Sequence, residues 1–565
     1  MENSFNPVFK RELTEDLCDG WSFSFDGKTF RDVRVPFCPE SELSGIGYKG
    51  FIRECFYKKT FTVKDNRLRA VLHFGAVDNE AIVYVNGHYV GSHKGGFTPF
   101  SFDVSDFITV GENTLELTVH DLNVGFFGKQ SYKEKSFGCF YTRTTGIWQP
   151  VWLEYRPENY IKQIKFFPDI HIPSVGAELT VEGKGEYEIT VSFDGKKVGG
   201  ASGRIDYKTR VNIPLSEKHL WDLGRGDLYE VSISFGCDRV TSYFGLREVR
   251  YEGYRFLLND REVFQKLVLD QGFYPDGIYT AKSVEEMQRD IDISLRLGFN
   301  GARLHQKVFD PRFLYLCDKA GYIVWGEFPS WGGDYSSMSC VGQFLSEWEE
   351  CMARDFNHPS IVTWCPLNEV WGAWEDPLKK RDVRVVETIY DFTKSYDNTR
   401  PAVDASGGHH GERTDLFDFH CYETCDKLRE YLDRLENGGV LNVPLLYPSG
   451  EEITYRGGMP VNISECGGIA FGGFAKEGWT YTVNEGAVTA ESEWGYGKGE
   501  TDGKAFVERY RQLVELLFKY KKLSGFCYTQ LYDVEQERNG FYRYDRSDKL
   551  TDEEKEEIRK INAKR

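Results

Sequence analysis

The chain has 565 residues, 13 cysteines, a net charge of −18, and 28% charged against 40% hydrophobic residues. That length predicts three or four domains at about 150 residues each, and the acidic balance argues against nucleic acid, whose binding rests on Lys and Arg contacts to phosphate. No apolar run of about 18 residues occurs, and the first 16 residues lack a basic start followed by an apolar core, so neither a membrane span nor a secretory leader is expected.

Residues 21–155 read as short alternating strands joined by tight turns. In EAIVYVNGHYVG, Ala81, Val83 and Val85 alternate with Ile82 and Tyr84 ahead of Asn86-Gly87, a two-residue hairpin signal, and TLELTVH repeats the alternation at 114–120. This is the pattern of an antiparallel sandwich. Further strands over 159–247 (ELTVE, EYEITVSFDGKKV, YEVSISF) suit a seven-strand immunoglobulin-like domain and carry no evident chemistry.

After Tyr251 the rhythm becomes strand, helix, strand, helix, which predicts a parallel sheet. Eight strands are expected, beginning at Leu267, Gly301, Tyr322, Ile361, Arg400, Leu416, Met459 and Leu523, with amphipathic helices such as VEEMQRDIDISLRLG between them. Eight strands in about 300 residues match a (β/α)8 barrel, whose chemistry sits at the C-terminal ends of the strands. Two apolar runs end there in glutamate: IVTWCPLNE (361–369) closes on Glu369, and MPVNISECGG (459–468) carries Glu465. Two convergent carboxylates are the minimum equipment for cleaving a glycosidic bond.

The cysteines are odd in number, scattered and without a CxxC pair, so they read as reduced thiols in a cytoplasmic protein. His409-His410 is an adjacent pair with no HExxH or Cys/His array, and no GxGxxG follows a strand, so neither a metal nor a nucleotide cofactor is expected.

These motifs together resemble glycoside hydrolase family 2. RDFNHPSIVTWCPLNEVWG is similar to the acid/base motif of the family and NISECGG to its nucleophile motif; GWSFSFDG, VNGHYVGSHKGGFTPFSFDVS and TGIWQPVWLEY are similar to marks of its first domain. The resemblance covers the whole chain and implies a jelly-roll sugar-binding-like domain at 1–157, an immunoglobulin-like sandwich at 158–249 and the catalytic barrel at 250–565. It implies a retaining exo-β-glycosidase with Glu465 as nucleophile and Glu369 as acid/base, each in the loop or tip following strands seven and four. Asn368 resembles the family asparagine that binds the sugar 2-hydroxyl. Arg303 and His305 end strand two, with a spacing that departs from the family pattern, and Glu327 ends strand three as a supporting or substrate-positioning group. His420 and Tyr422 end strand six, and Tyr422 resembles a tyrosine that hydrogen-bonds the nucleophile. Trp331, Trp371 and Trp494 are candidates for stacking on a sugar, and Asp270, Asp404 and Asp533 for binding its hydroxyls.

The substrate is expected to be a small carbohydrate. Family glucuronidases carry Asn-x-Lys after strand eight, and the corresponding region here reads EQERNGFYRYDR, so a neutral sugar, first a β-galactoside, is expected ahead of a glucuronide, mannoside, galacturonide or arabinoside. A carbohydrate-binding protein without turnover is the reading from another class. The oligomeric state is left open.

Overall fold

The computed structural model describes residues 4–122, 127–131, 134–370, 372, 379–446, 451–472, 493–500 and 502–565. A six-stranded sheet (Arg31–Val33, Trp21–Ser24, Glu54–Val63, Gly111–His120, Glu80–Val85, His88–Lys94) faces a four-stranded one (Phe100–Asp103, Arg69–Phe74, Val151–Arg156, Thr14–Asp16). The alternation read from sequence is the cause: Ala81, Val83, Val85, Leu115, Leu117 and Val119 all point into the shared core, as a period of two requires. Asn86 and Gly87 both have positive φ, 52° and 77°, which matches the right-handed twist of the strands they join.

The middle unit departs from the expected count of seven short strands. ELTVE and EYEITVSF merge into one strand, Ser174–Phe193, which bends at a register shift near Gly183 and pairs along most of its length with Lys196–Pro214. Gly183 sits at φ 83°, a conformation that a Cβ would strain, so the strand turns there without ending. Lys10–Arg11 pairs with Thr241 and Val240 of this sheet, so the start of the chain crosses from the first unit to the second. Arg11 is locked there by Asp238 and by the Ile161 carbonyl.

The barrel sheet runs in the order Ile361–Cys365, Ile323–Glu327, Gly301–Leu304, Gln265–Asp270, Leu523–Thr529, Val461–Gly467, Phe417–Cys421, all parallel. Helices such as Val284–Arg296 and Pro311–Ala320 cover it, the latter started by Asp310 and Pro311 and stopped by Gly321 at φ 64°. The expected fifth strand is not a full one. Residues 401–406 touch the sheet through single bridges, Trp364 to Ala402 and Asn368 to Ser406, because Pro401 offers no N–H and the chain turns away at Gly407. Side chains finish the closure: Asp418 accepts from Ser406 Oγ (2.9 Å) and from the Gly407 amide (3.2 Å). All 13 cysteines are free thiols, and among the described residues no helix is long and apolar enough to cross a membrane.

Candidate active site

Both glutamates meet at the C-terminal mouth of the barrel, and each is aimed by an irregularity in its strand. The fourth strand stops at Cys365 and not at Glu369, since Pro366 breaks the ladder; Glu369 then adopts φ 44°, which turns its carboxylate inward. A left-handed non-glycine residue costs about 1–3 kcal/mol and persists only where surroundings enforce it. Here the Glu369 amide donates to the Ser406 carbonyl (2.8 Å). Glu465 lies inside Val461–Gly467 at a register shift against both neighbouring strands, and a bulge of that kind re-aims a side chain.

His420 stands between the two. Its Nδ1 is 2.6 Å from Glu369 Oε1 and 3.4 Å from Glu465 Oε2, and the three groups offer atoms that all lie within 4.8 Å of one another. Burial opposes its charge, yet the carboxylates of Glu465 and Glu369 outweigh burial and raise the imidazole above its usual value. The two carboxylates thus favour the charged form of the imidazole that stands between them.

Arg303 is 0% exposed and holds the other flank. It donates to Glu465 Oε1 (2.8 Å), Glu327 Oε2 (2.6 Å), the Ser464 carbonyl (3.2 Å) and Asn368 Oδ1. Tyr422 donates to Glu465 Oε2 (2.5 Å) and stacks on Tyr496 with ring centroids 3.5 Å apart. Burial would raise Glu465, but His420, Arg303 and the Tyr422 hydroxyl hold its carboxyl at about 2, so it is ionised. His305 is the reverse case. Burial, then Lys129 and Arg303, keep it neutral, so Nδ1 donates to Glu327 (3.0 Å) and Nε2 keeps its lone pair, 3.9 Å from Glu465.

Arg303 neutralises two buried carboxylates at once, which makes its loss expensive. Arg303→Met is expected to destabilise the protein by about 3–5 kcal/mol, because Glu327 and Glu465 would be left as buried charges without their guanidinium. A denaturant midpoint unchanged from the parent would show that the network does not carry that energy.

The structure brings Glu369, Glu465, Asn368, Arg303, His305, Glu327, His420 and Tyr422 together. Trp331 joins them by donating its indole N–H to the Asn368 carbonyl (3.1 Å). Trp494 is 4% exposed; its N–H goes to the Gly138 carbonyl (2.8 Å) and its ring meets Tyr496 edge-on, so it clamps a sandwich loop onto the barrel. Trp371 lies outside the described residues. Three aspartates hold barrel loops: Asp404 accepts from His410 (2.6 Å) and the Gly411 amide (2.6 Å), Asp533 from Lys549 (2.8 Å) and the Gly540 amide (3.0 Å), and Asp270 from Tyr532 (2.5 Å) and the Gly272 amide (2.9 Å).

Several site residues carried no sequence signal. Tyr496 stands at the end of no barrel strand, and Asp418, which accepts from Ser464 and Ser406, reads in sequence as one acid among many. Gln306, at φ 53°, donates its backbone amide to Glu327 (3.1 Å), while its side-chain Nε2 is buried without a partner among the described residues. Lys129 arrives from the sandwich, 3% exposed, 5.4 Å from the Trp331 ring.

Comparison with known proteins gives two family matches: Glycosyl hydrolases family 2, sugar binding domain, over residues 48–157, and Glycosyl hydrolases family 2, TIM barrel domain, over residues 256–445. Among curated relatives, a β-galactosidase of Thermoanaerobacter pseudethanolicus is 27% identical over 390 residues, 62% of this chain and 50% of the relative. A β-glucuronidase of Streptococcus agalactiae is 27% identical over 368 residues, 57% of this chain and 59% of the relative. The chain thus spans little more than half the length of these relatives. Among solved structures, a family 2 β-galacturonidase from Eisenbergiella tayi bound to galacturonate has a TM-score of 0.74 at 22% identity, covering 98% of each chain. A β-D-glucuronidase of Dictyoglomus thermophilum has a TM-score of 0.78 at 20% identity, again covering 98% of each. At such identities these structures share the fold.

Proposed function

The chain belongs to glycosyl hydrolase family 2, and from that premise we propose that it is a retaining, exo-acting β-glycosidase that hydrolyses small glycosides by double displacement. The observation that carries this reading is the closeness of Glu369 and Glu465, whose oxygens lie within 4.8 Å around one imidazole. Retaining enzymes hold their carboxyls about 5 to 5.5 Å apart, whereas inverting ones leave about 6.5 to 9.5 Å for a water. Glu465, ionised and oriented by Arg303 and Tyr422, attacks the anomeric carbon. Glu369 gives its proton to the departing oxygen, then takes one from the water that releases the sugar. Its side chain is 14% exposed against 6% for Glu465, which suits the group that must meet the leaving group and the water.

The pH profile follows from the same contacts. With Glu465 at about 2, kcat/KM should show no ionisation on the acid side until the protein itself denatures. Activity should fall on the alkaline side as His420, which burial lowers but Glu465 and Glu369 raise above the ordinary imidazole value, loses its proton beside Glu369. A limb near pH 4.5 in kcat/KM would mean that Arg303 and His420 do not hold the nucleophile down.

We read the sugar as neutral, a β-galactoside first. Arg303 and His420 are already matched by carboxylates, and the region EQERNGFYRYDR beyond the last strand holds no Asn-x-Lys. One observation favours a uronide instead: Lys129, buried near the mouth, has no carboxylate within ion-pair distance among the described residues. The free thiols favour a reducing compartment, with small glycosides as its substrates. The experiment is nitrophenol release from aryl β-galactoside, glucuronide, galacturonide, mannoside and glucoside, with Glu465→Ala as blank and NMR of the first-formed anomer. One dominant sugar released as the β-anomer supports the reading. An α-anomer defeats retention, and silence across the panel favours the binding-protein alternative.

A further inference from the structure

A file of hydrogen bonds crosses from the sandwich into the barrel mouth. Lys129 Nζ donates to Gln271 Oε1 (3.1 Å), Gln271 Nε2 to Gln530 Oε1 (3.0 Å), Gln530 Nε2 to Asn539 Oδ1 (2.8 Å), and Asn539 Nδ2 to Glu537 Oε1 (3.0 Å). The other Glu537 oxygen accepts from Tyr141 (2.5 Å), whose ring centroid lies 4.9 Å from Lys129 Nζ. None of the six side chains is more than 3% exposed. Every amide points the same way, because an ammonium can only donate at one end and a carboxylate can only accept at the other.

The two ends are not used up. An ammonium has three N–H groups, and among the described residues Gln271 takes one from Lys129. Each carboxylate oxygen has about two acceptor positions, and Glu537 has one hydrogen bond at each oxygen. The Lys129 end also lies 5.4 Å from the ring of Trp331, whose N–H reaches the carbonyl of Asn368 beside Glu369 (3.1 Å). Tyr496, raised by burial and then by Glu537 and Glu465, stacks on the tyrosine that binds the nucleophile; Lys129 is, after burial, the main influence keeping His305 neutral. A joint that served only to dock the sandwich would be more stable if apolar, since a separated buried cation and anion are costly.

We propose that Lys129 and Glu537 are the specificity residues of the sugar subsite. Lys129 donates to, and Glu537 accepts from, hydroxyls of a neutral sugar away from the bond being broken, and Glu537 repels a sugar carboxylate. The first domain thereby supplies part of the substrate pocket. This assignment rests on the glycosidase reading above.

The test compares kcat/KM for nitrophenyl β-galactoside and β-galacturonide in the parent, Lys129→Met and Glu537→Gln, with melting temperatures alongside. Glu537→Gln, which keeps size and one acceptor oxygen but removes the charge, should lower the galactoside-to-galacturonide ratio by at least about 10-fold, mainly through KM. Lys129→Met should cost the neutral substrate about 10- to 100-fold, again mainly in KM. A ratio that Glu537→Gln leaves unmoved overturns the assignment, as does a parent that prefers galacturonide and loses that preference in Lys129→Met. A parent that hydrolyses no glycoside defeats the glycosidase reading and this one with it; turnover with an unmoved ratio defeats this one alone.

Discussion

Glu465→Gln is expected to lower kcat for an aryl β-glycoside by at least about 10⁴-fold while the protein stays folded. The amide cannot form the glycosyl ester. Glu327, the other buried carboxylate of the cluster, is committed to Arg303 Nε (2.6 Å), His305 Nδ1 (3.0 Å) and the Gln306 amide (3.1 Å). The fold should survive because Gln has the size of Glu: its Oε1 can still accept from Arg303, which lies 2.8 Å from Glu465 Oε1, and its Nε2 can donate to the Tyr422 hydroxyl, which lies 2.5 Å from Glu465 Oε2. Loss of the anion also removes one of the two carboxylates that raise His420, so that imidazole should titrate lower in the variant. The checks are initial rates, a melting curve and the imidazole titration by NMR. Activity within tenfold of the parent, in protein free of contaminating enzyme, would take the nucleophile's role from Glu465.

How much of this was legible in the sequence depended on how local each signal was. The sandwich core follows from alternation within single strands, as at Ala81, Val83 and Val85, because a period of two needs only neighbours along the chain. The two glutamates were legible for the same reason: each closes or interrupts an apolar run that has one place in a barrel. The fifth barrel segment was misread as a strand because RPAVDAS is apolar, whereas pairing depends on donors, and Pro401 lacks one. The strand ending at Cys365 was drawn too long, since nothing local says that Glu369 will turn left-handed under the pull of Ser406. The cross-domain residues were out of reach. Lys129 meets Gln271 across 142 positions and Tyr141 meets Glu537 across 396, and neither pair leaves a pattern in a single sequence. Glu537 and Asn539 stood in the stretch read only for its missing Asn-x-Lys, so the absence of one motif hid the presence of another arrangement.

Glu369→Ala should separate the two chemical steps. The first step needs a proton only as much as the leaving group is basic, so release of dinitrophenol should be nearly unimpaired, while a methyl or alkyl glycoside should lose about 10²–10⁴-fold, the usual worth of a general acid. The second step loses its base whatever the leaving group was, so with dinitrophenyl substrates the glycosyl ester on Glu465 should accumulate and give a burst. The geometry adds a rescue. Alanine leaves the space of a carboxylate beside His420 Nδ1, which lies 2.6 Å from Glu369 Oε1, and that cation is placed to admit a small anion. Azide should therefore enter, attack the glycosyl ester without needing a base, and restore turnover with a β-glycosyl azide as product. Azide should do nothing for Glu465→Gln, in which no ester forms. The contrast also bears on His420: if the imidazolium only fills space, azide should work equally well when His420 is replaced by Asn in the Glu369→Ala background, and if its charge draws the anion in, rescue should weaken. A loss in Glu369→Ala that is the same for every leaving group, with no burst and no azide product, would reduce Glu369 to a positioning group and leave the proton donor to be found elsewhere in the mouth of the barrel.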